Sequence, residues 1–435
     1  MSSQRFSAKS TSRTELSSEF RPYLSEASYG EDGVELLLPA QLQRQLMDER
    51  RQKAIEREQA RSERSAAAMA VVSRPAAAAG APQSTPQGTS QGTLESESAF
   101  TQAFERGVAR RDRRRHHPVL AAREVLRVAA RVGTMREKDY AKRDLELIEK
   151  IKARGALRAV VNPAFSPKSW AQALARLSSM HPHFQVVTDL VAAAVARSVH
   201  SKAPLSVPPL HLWGEPGVGK TQYANDLAAA LGTPVRRHSM ENAQTTALLL
   251  GTERHWSTAS PGLVFDQLVF GDAANPVVLI DELDKAPRGA QYDPFAPLHS
   301  LLEPATATRV RDASLDIEFD ASLVIYIATS NNPGHVPAPL RSRFREFEIL
   351  PPRGEQALQV ARAVVAATVL RQAVPGFALP PAGLAHQLAH LTPREIGQAV
   401  QDAVGHALEA SRFQLSLADF PADLLGVETA RSVLH

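Results

Sequence analysis

The sequence predicts an α/β fold: a parallel-sheet domain followed by a small helical domain and preceded by a partly disordered, helical N-terminal region. Three observations predict it. A glycine-rich turn, Gly214-Glu215-Pro216-Gly217-Val218-Gly219-Lys220-Thr221, is entered from the apolar stretch Leu210-His211-Leu212-Trp213 and left through a helical one at 222–231. Further on, Pro276-Val277-Val278-Leu279-Ile280 is a continuous apolar run, as a central strand buried on both faces requires, and 322–328 repeats it. After Pro351-Pro352 the pattern is helical only, over 355–370, 382–390 and 393–413.

In chain order, residues 1–34 are rich in Ser, Glu and Arg with few periodic apolar positions and read as disordered. Residues 36–72 turn helical but become polar all round, the pattern of a solvated helix; an a/d heptad does not persist. Residues 73–98 mix Pro, Gly, Ala, Ser, Thr and Gln, which is linker composition. A basic cluster follows at 106–117, with Arg110, Arg111, Arg113, Arg114 and Arg115. A nucleic-acid or acidic-partner contact and a solvated helix face both fit it; no interleaved aromatics offer stacking platforms. Residues 118–165 predict a helical hairpin, on the spacing of Val119, Leu120, Val125, Leu126, Val128, Leu147, Ile148 and Ile151. The α/β domain is assigned 166–350, with a helix at 184–199 and a strand at 233–238, and the helical domain 351–435.

Composition sets outer limits. The 435 residues suffice for two or three domains, and 43% hydrophobic content suffices for a sizeable core. There are no cysteines, which excludes disulfides and thiolate chemistry. No apolar run is long enough to span a membrane and no secretory signal opens the chain, so the expectation is a cytoplasmic protein without a membrane partner.

The chemistry sits in the turn and beyond the apolar run. Gly-x-x-x-x-Gly-Lys-Thr is the spacing of a phosphate-binding loop: Gly214, Gly217 and Gly219 leave room for backbone N–H groups to converge on a polyphosphate. Glu215, Pro216 and Val218 complete the loop. Lys220 is expected to reach the β- and γ-phosphates of ATP, and the Thr221 hydroxyl to hold Mg²⁺. Asp281 and Glu282 follow the apolar run directly, so a strand delivers two carboxylates to the edge where parallel sheets bind ligands. Asp281 is expected at Mg²⁺, and Glu282 as general base for the attacking water.

Ile280-Asp281-Glu282-Leu283-Asp284-Lys285, Ala328-Thr329-Ser330-Asn331 and Leu340-Arg341-Ser342-Arg343 resemble the AAA+ ATPases, and within them the ATPase module of Lon-type proteases, over about residues 166–415. The resemblance implies a P-loop NTPase sheet domain with a helical lid. It implies a sensor role for Asn331, an arginine finger for the neighbouring subunit at Arg343 (with Arg341 able to share or take that role), and a second sensor at Arg394 in the lid. Gly251-Thr252-Glu253-Arg254-His255-Trp256, with Pro261-Gly262 after it, resembles the Lon pore loop, with Trp256 in the aromatic place. A hexameric ring working on a protein substrate, alone or with a separate partner protein, follows from the same resemblance. So does a departure: the chain stops at His435 without a recognisable proteolytic segment, so peptidase activity is not expected in it. A nucleic-acid-associated ATPase using the basic cluster is the alternative reading.

Overall fold

The computed structural model describes residues 98, 100–102, 115–133, 139–242, 247–254, 259–287, 293–381 and 383–425. The disorder expected at 1–34, the solvated helix expected at 36–72, the expected linker up to residue 97, the basic cluster up to Arg114 and Trp256 lie outside the described residues.

Two short strands, β1 (His116–Pro118) and β2 (Leu157–Ala159), pair antiparallel. Between them lie helices α1 (Ala122–Gly133) and α2 (Asp139–Arg154), which pack on each other where the hairpin was expected. Helices α3 (Pro167–Met180) and α4 (Gln185–Ser201) precede β3 (Leu210–Trp213), and α5 (Lys220–Leu231) follows it. Then come β4 (Val235–Ser239), β5 (Val277–Asp281), α6 (Ala296–Leu301), a hairpin of β6 (Val310–Asp312) and β7 (Ile317–Phe319), β8 (Ile325–Ser330), α7 (Ala338–Arg341) and β9 (Arg345–Glu348).

The five-stranded sheet runs β4-β5-β8-β3-β9, and every pairing in it is parallel. Burial explains why its middle was readable. All of β5 and all of β8 are buried, while β9, Arg345-Glu346-Phe347-Glu348, is mostly exposed at an edge and carries no apolar signal. Side chains alternate between faces. Val277 and Leu279 of β5, with Leu210 and Leu212 of β3, face a core built with Trp170, Leu177, Val191 and Leu227 of α3, α4 and α5. Val278 and Ile280 face a second core shared with Val125, Val128, Ile148 and Ile151 of α1 and α2. The N-terminal helix pair therefore covers one face of the sheet domain.

The predicted strand at 322–328 begins later, at Ile325, and ends at Ser330. Its first residues are spent on a turn in which Ser322 N donates to Asp320 Oδ1 (2.8 Å) and Val324 N to Ala321 O (3.1 Å). The lid comprises α8 (Glu355–Arg371), α9 (Leu384–Leu388) and α10 (Pro393–Glu409), around Ala361, Val365, Leu388, Ile396 and Val400. Helix α10 stops short of the expected 413 because Ser411 takes a left-handed backbone (φ 54). No helix among the described residues is long and apolar enough to cross a membrane.

The β6–β7 hairpin is tied to the stem of the loop that follows Leu250. Ala313 N donates to Leu250 O (2.7 Å), and Gly262 N donates to Oδ2 of Asp312 (2.8 Å), which is fully buried. The other oxygen, Oδ1, accepts from Ser314 N (3.0 Å) and Ser314 Oγ (2.6 Å). Arg143 of α2 donates to Ala259 O (2.7 Å) on the same stem.

Beneath α5, Phe184 is fully buried and stacks on Tyr223 with ring centroids 4.2 Å apart and planes within 6°. Phe184→Ala is expected to cost about 3–5 kcal/mol, from lost burial and the cavity left under α5. The shift of the urea unfolding midpoint at constant slope measures it.

Candidate nucleotide site

Parallel strands bring their C-terminal ends to one edge, and the residues singled out from the sequence meet there. Residues 214–219 link β3 to α5. Gly214 (φ +152) admits no side chain: a Cβ would lie 2.3 Å from Ile349 O, directly after β9. Gly217 is where the lid arrives, since a Cβ there would sit 3.3 Å from Thr392 Oγ1 and 3.7 Å from Arg394 Cβ. Thr392 and Glu395 form a capping box that fixes the first turn of α10 against the loop, with Pro393 at its first position. Arg394 is itself exposed. His183 holds the loop from below, its Nε2–H donating to Val218 O (2.9 Å). Burial pushes the His183 imidazole down to about 4, so the ring is neutral with one N–H to give.

Lys220 is buried (8% exposed), and Nζ donates to Gly214 O (2.8 Å), Glu215 O (2.8 Å) and Asn331 Oδ1 (3.0 Å). All three acceptors are neutral. Among the described residues no carboxylate forms an ion pair with it. Burial pushes the ammonium down to about 8, Asp284 and Asp281 pull it back up, and Arg394 opposes them. A buried cation without a paired anion suits a polyanionic ligand.

Asp281 ends β5 almost fully buried. Oδ1 accepts from Thr221 Oγ1 (3.0 Å) and from the Thr329 hydroxyl; Oδ2 accepts from Arg237 Nε (2.7 Å). Thr221 and Asp281 thus present adjacent hard oxygen donors, a set that fits Mg²⁺. Glu282 takes a left-handed backbone (φ 57), unusual for a residue with a Cβ, which turns its side chain off the line of the strand. Its pKa is raised by partial burial first, then by a hydrogen bond with Glu241 and by the charges of Glu241 and Asp281.

Asn331 stands just beyond β8, and its amide oxygen meets Lys220. Its backbone is set by Asp284, whose Oδ2 accepts from Asn331 N (3.2 Å) and Asn332 N (2.9 Å). Arg341 and Arg343 lie away from this cluster on the α7–β9 corner. Arg341 is held by Glu346 through Nε and a terminal nitrogen, both at 2.8 Å. Arg343 donates to Pro339 O (2.5 Å) and stands 3.8 Å from Glu303.

Comparison with known proteins bears on the segment that carries this site. Residues 210–352 match the model of the ATPase family associated with various cellular activities (AAA). Residues 210–352 form an AAA+ ATPase module. In sequence the chain is similar to a Lon protease of Campylobacter jejuni, 38% identical over 140 residues, which covers 32% of this chain and 18% of that protein. It is similar also to Lon protease 2 of Thermus thermophilus, 30% identical over 217 residues, covering 47% of this chain and 27% of that protein. The match thus spans less than a third of the length of these relatives. A solved structure of Thermotoga maritima RuvB, the P216G mutant, aligns with 16% identity and a TM-score of 0.37, covering 54% of this chain and 67% of that one.

Several residues of the AAA+ module were not singled out from sequence. Arg237, which pairs with Asp281, is one of two adjacent arginines on an edge strand and reads as surface charge. Asp284 was legible in principle, because a short turn at Leu283–Lys285 carries it back beside the strand ends. Thr329 lies inside the string Ala328–Asn331 but carried no role of its own, and Glu241 gave no pattern, since only the fold brings them to Asp281 and Glu282.

Lys220→Ala is expected to weaken nucleotide binding about tenfold to a hundredfold, because a charge-assisted hydrogen bond contributes about 1.5–3 kcal/mol. Titration with a fluorescent ATP analogue measures it, and unchanged affinity would remove Lys220 from the site.

Proposed function

We propose that this chain is an ATP-hydrolysing motor of the cytoplasm that assembles as a ring, a hexamer by likeness to the family, and remodels or unfolds protein. One observation supports it above the others: the buried unpaired Lys220, the Thr221–Asp281 oxygen pair, Glu282 and Asn331 converge at one edge of a parallel sheet. In this reading the loop amides and Lys220 bind the β- and γ-phosphates, and the start of α10 with Arg394 closes over them. Thr221 and Asp281 hold Mg²⁺, which when bound supplies charge neutralisation across the phosphates. Glu282 accepts a proton from the attacking water and Asn331 orients that water. Displacing Asn331 from Lys220 lets the γ-phosphate take its place. Similarity to Lon proteases supports protein as the substrate. The stem at Gly251 and Gly262, rooted on Asp312, supports a substrate loop carrying Trp256.

Glu282→Gln is expected to keep ATP binding while hydrolysis falls at least about a hundredfold, the usual contribution of a positioned base. A parent-like rate would remove Glu282 from that role. The substrate class is read from stimulation: an unfolded protein should raise the ATPase rate. Stimulation by DNA instead, with binding that falls steeply as salt rises, would move the reading to the nucleic-acid alternative.

Arg343→Ala should bind ATP normally yet hydrolyse it slowly, by roughly 10³-fold if the finger is worth here what fingers are worth in GTPases. Mixing it with Lys220→Ala should restore activity, because intact pockets of the first then meet intact fingers of the second. Hydrolysis that stays dead on mixing would place Arg343 outside the neighbour's site.

A further inference from the structure

We infer that the buried His211 is a positioning residue: it ties the strand end that bears Asn331 to the α7–β9 corner, fastening Arg341 within its own subunit and presenting Arg343 to the neighbour. The inference rests on the arginine-finger reading above and adds the device that sets the finger.

His211 occupies the middle of β3, between β8 and β9, and is 0% exposed. Its neighbours on β3, Leu210 and Leu212, pack into the core with α5, whereas His211 faces the other side of the sheet. An imidazole at such a place costs free energy unless both nitrogens are bonded. Both are. Nδ1 meets Glu346 Oε1 at 2.9 Å and Nε2 meets Ser330 Oγ at 2.7 Å. Burial lowers the His211 pKa against the opposing pull of Glu346, so the ring is neutral. A carboxylate can only accept, so Nδ1 carries the proton and Nε2 accepts the Ser330 hydroxyl.

Each end of this bridge continues. Ser330 immediately precedes Asn331, whose side chain meets Lys220, and Ser330 O accepts from Gly214 N (3.3 Å). Glu346, on the other side, grips the Arg341 guanidinium with both oxygens, the strong two-bonded arrangement of arginine and carboxylate. The chain of contacts therefore runs Lys220–Asn331, Ser330, His211, Glu346, Arg341, from the phosphate site to the corner. The His211 ring also lies against Phe344, centroids 5.7 Å apart, and Phe344 directly follows Arg343. Arg343 is the less committed arginine. Its nearest carboxylate is 3.8 Å away, and its Nε has no hydrogen-bond partner although that atom is buried.

The test uses full-length chains in the mixing assay. Arg343→Ala supplies intact pockets without fingers, and Lys220→Ala supplies fingers without working pockets. His211→Leu and, separately, Glu346→Gln are then added to the Lys220→Ala donor. Both donors are expected to lose rescue about tenfold or more, the scale on which small misplacements of a catalytic group act. ATP affinity of the Glu346→Gln single variant should stay unchanged, which separates finger placement from damage to the pocket. Glu346 is on the edge strand and partly exposed, so that variant decides the matter if His211→Leu does not fold. Full rescue by the Glu346→Gln donor, or by a folded His211→Leu donor, would overturn the inference and leave the finger reading standing. No rescue by the original pair would overturn both.

Discussion

A buried ammonium without a carboxylate partner governs this molecule. Lys220 is kept charged by three neutral oxygens and by more distant acids, and burial has already brought its pKa down to about 8. That arrangement is tolerable only where the surrounding backbone is fixed. The fixing is done by elements from far along the sequence: Ile349 forbids a side chain at Gly214, His183 holds Val218, and Asp284 holds Asn331. The sheet order follows the same need, since β3 must lie beside β8 for Asn331 to reach the amine. An anionic ligand arriving there would supply the partner that the fold withholds from the ammonium.

Much of the candidate nucleotide site could be read from the chain because its parts are local. The glycine-rich turn, the run 276–280 with its two acids, and the string ending in Asn331 each carry their chemistry within a few neighbouring residues. Central strands were legible for a related reason, since burial on both faces leaves an unbroken apolar run. The edge strand β9 lacks that run, and its Glu346 looks like an ordinary surface acid until β3 is placed beside it. Arg237, Thr329 and His211 were opaque for the same reason: their partners come from other strands, and spacing along the chain says nothing about pairing across a sheet. The hairpin of β6 and β7 was missed because each strand has only three residues.

The N-terminal helices show how a boundary read from pattern differs from one drawn by packing. Val125, Val128, Ile148 and Ile151 recur at helical spacing and so announce a helix pair, but spacing does not say what the pair covers. They complete the core over Val278 and Ile280. Arg158 reinforces the joint, its buried guanidinium donating to backbone carbonyls at Leu268 and Val269 instead of to an acid. A buried cation serves here as a cap on the last carbonyls of a short helical segment, Asp266–Phe270.

Asp312 carries a mechanical consequence. One fully buried carboxylate accepts from the amide that closes the loop after Leu250, while the N–H of the residue beside it, Ala313, donates to the carbonyl that opens it. Both feet of the loop thus stand on a single pivot at the turn of the β6–β7 hairpin. Through that pivot the feet are joined to the hairpin, which is sewn to α1 by Arg131 and Asp316. The two feet therefore share one anchorage, and neither can leave it without breaking a hydrogen bond to the hairpin.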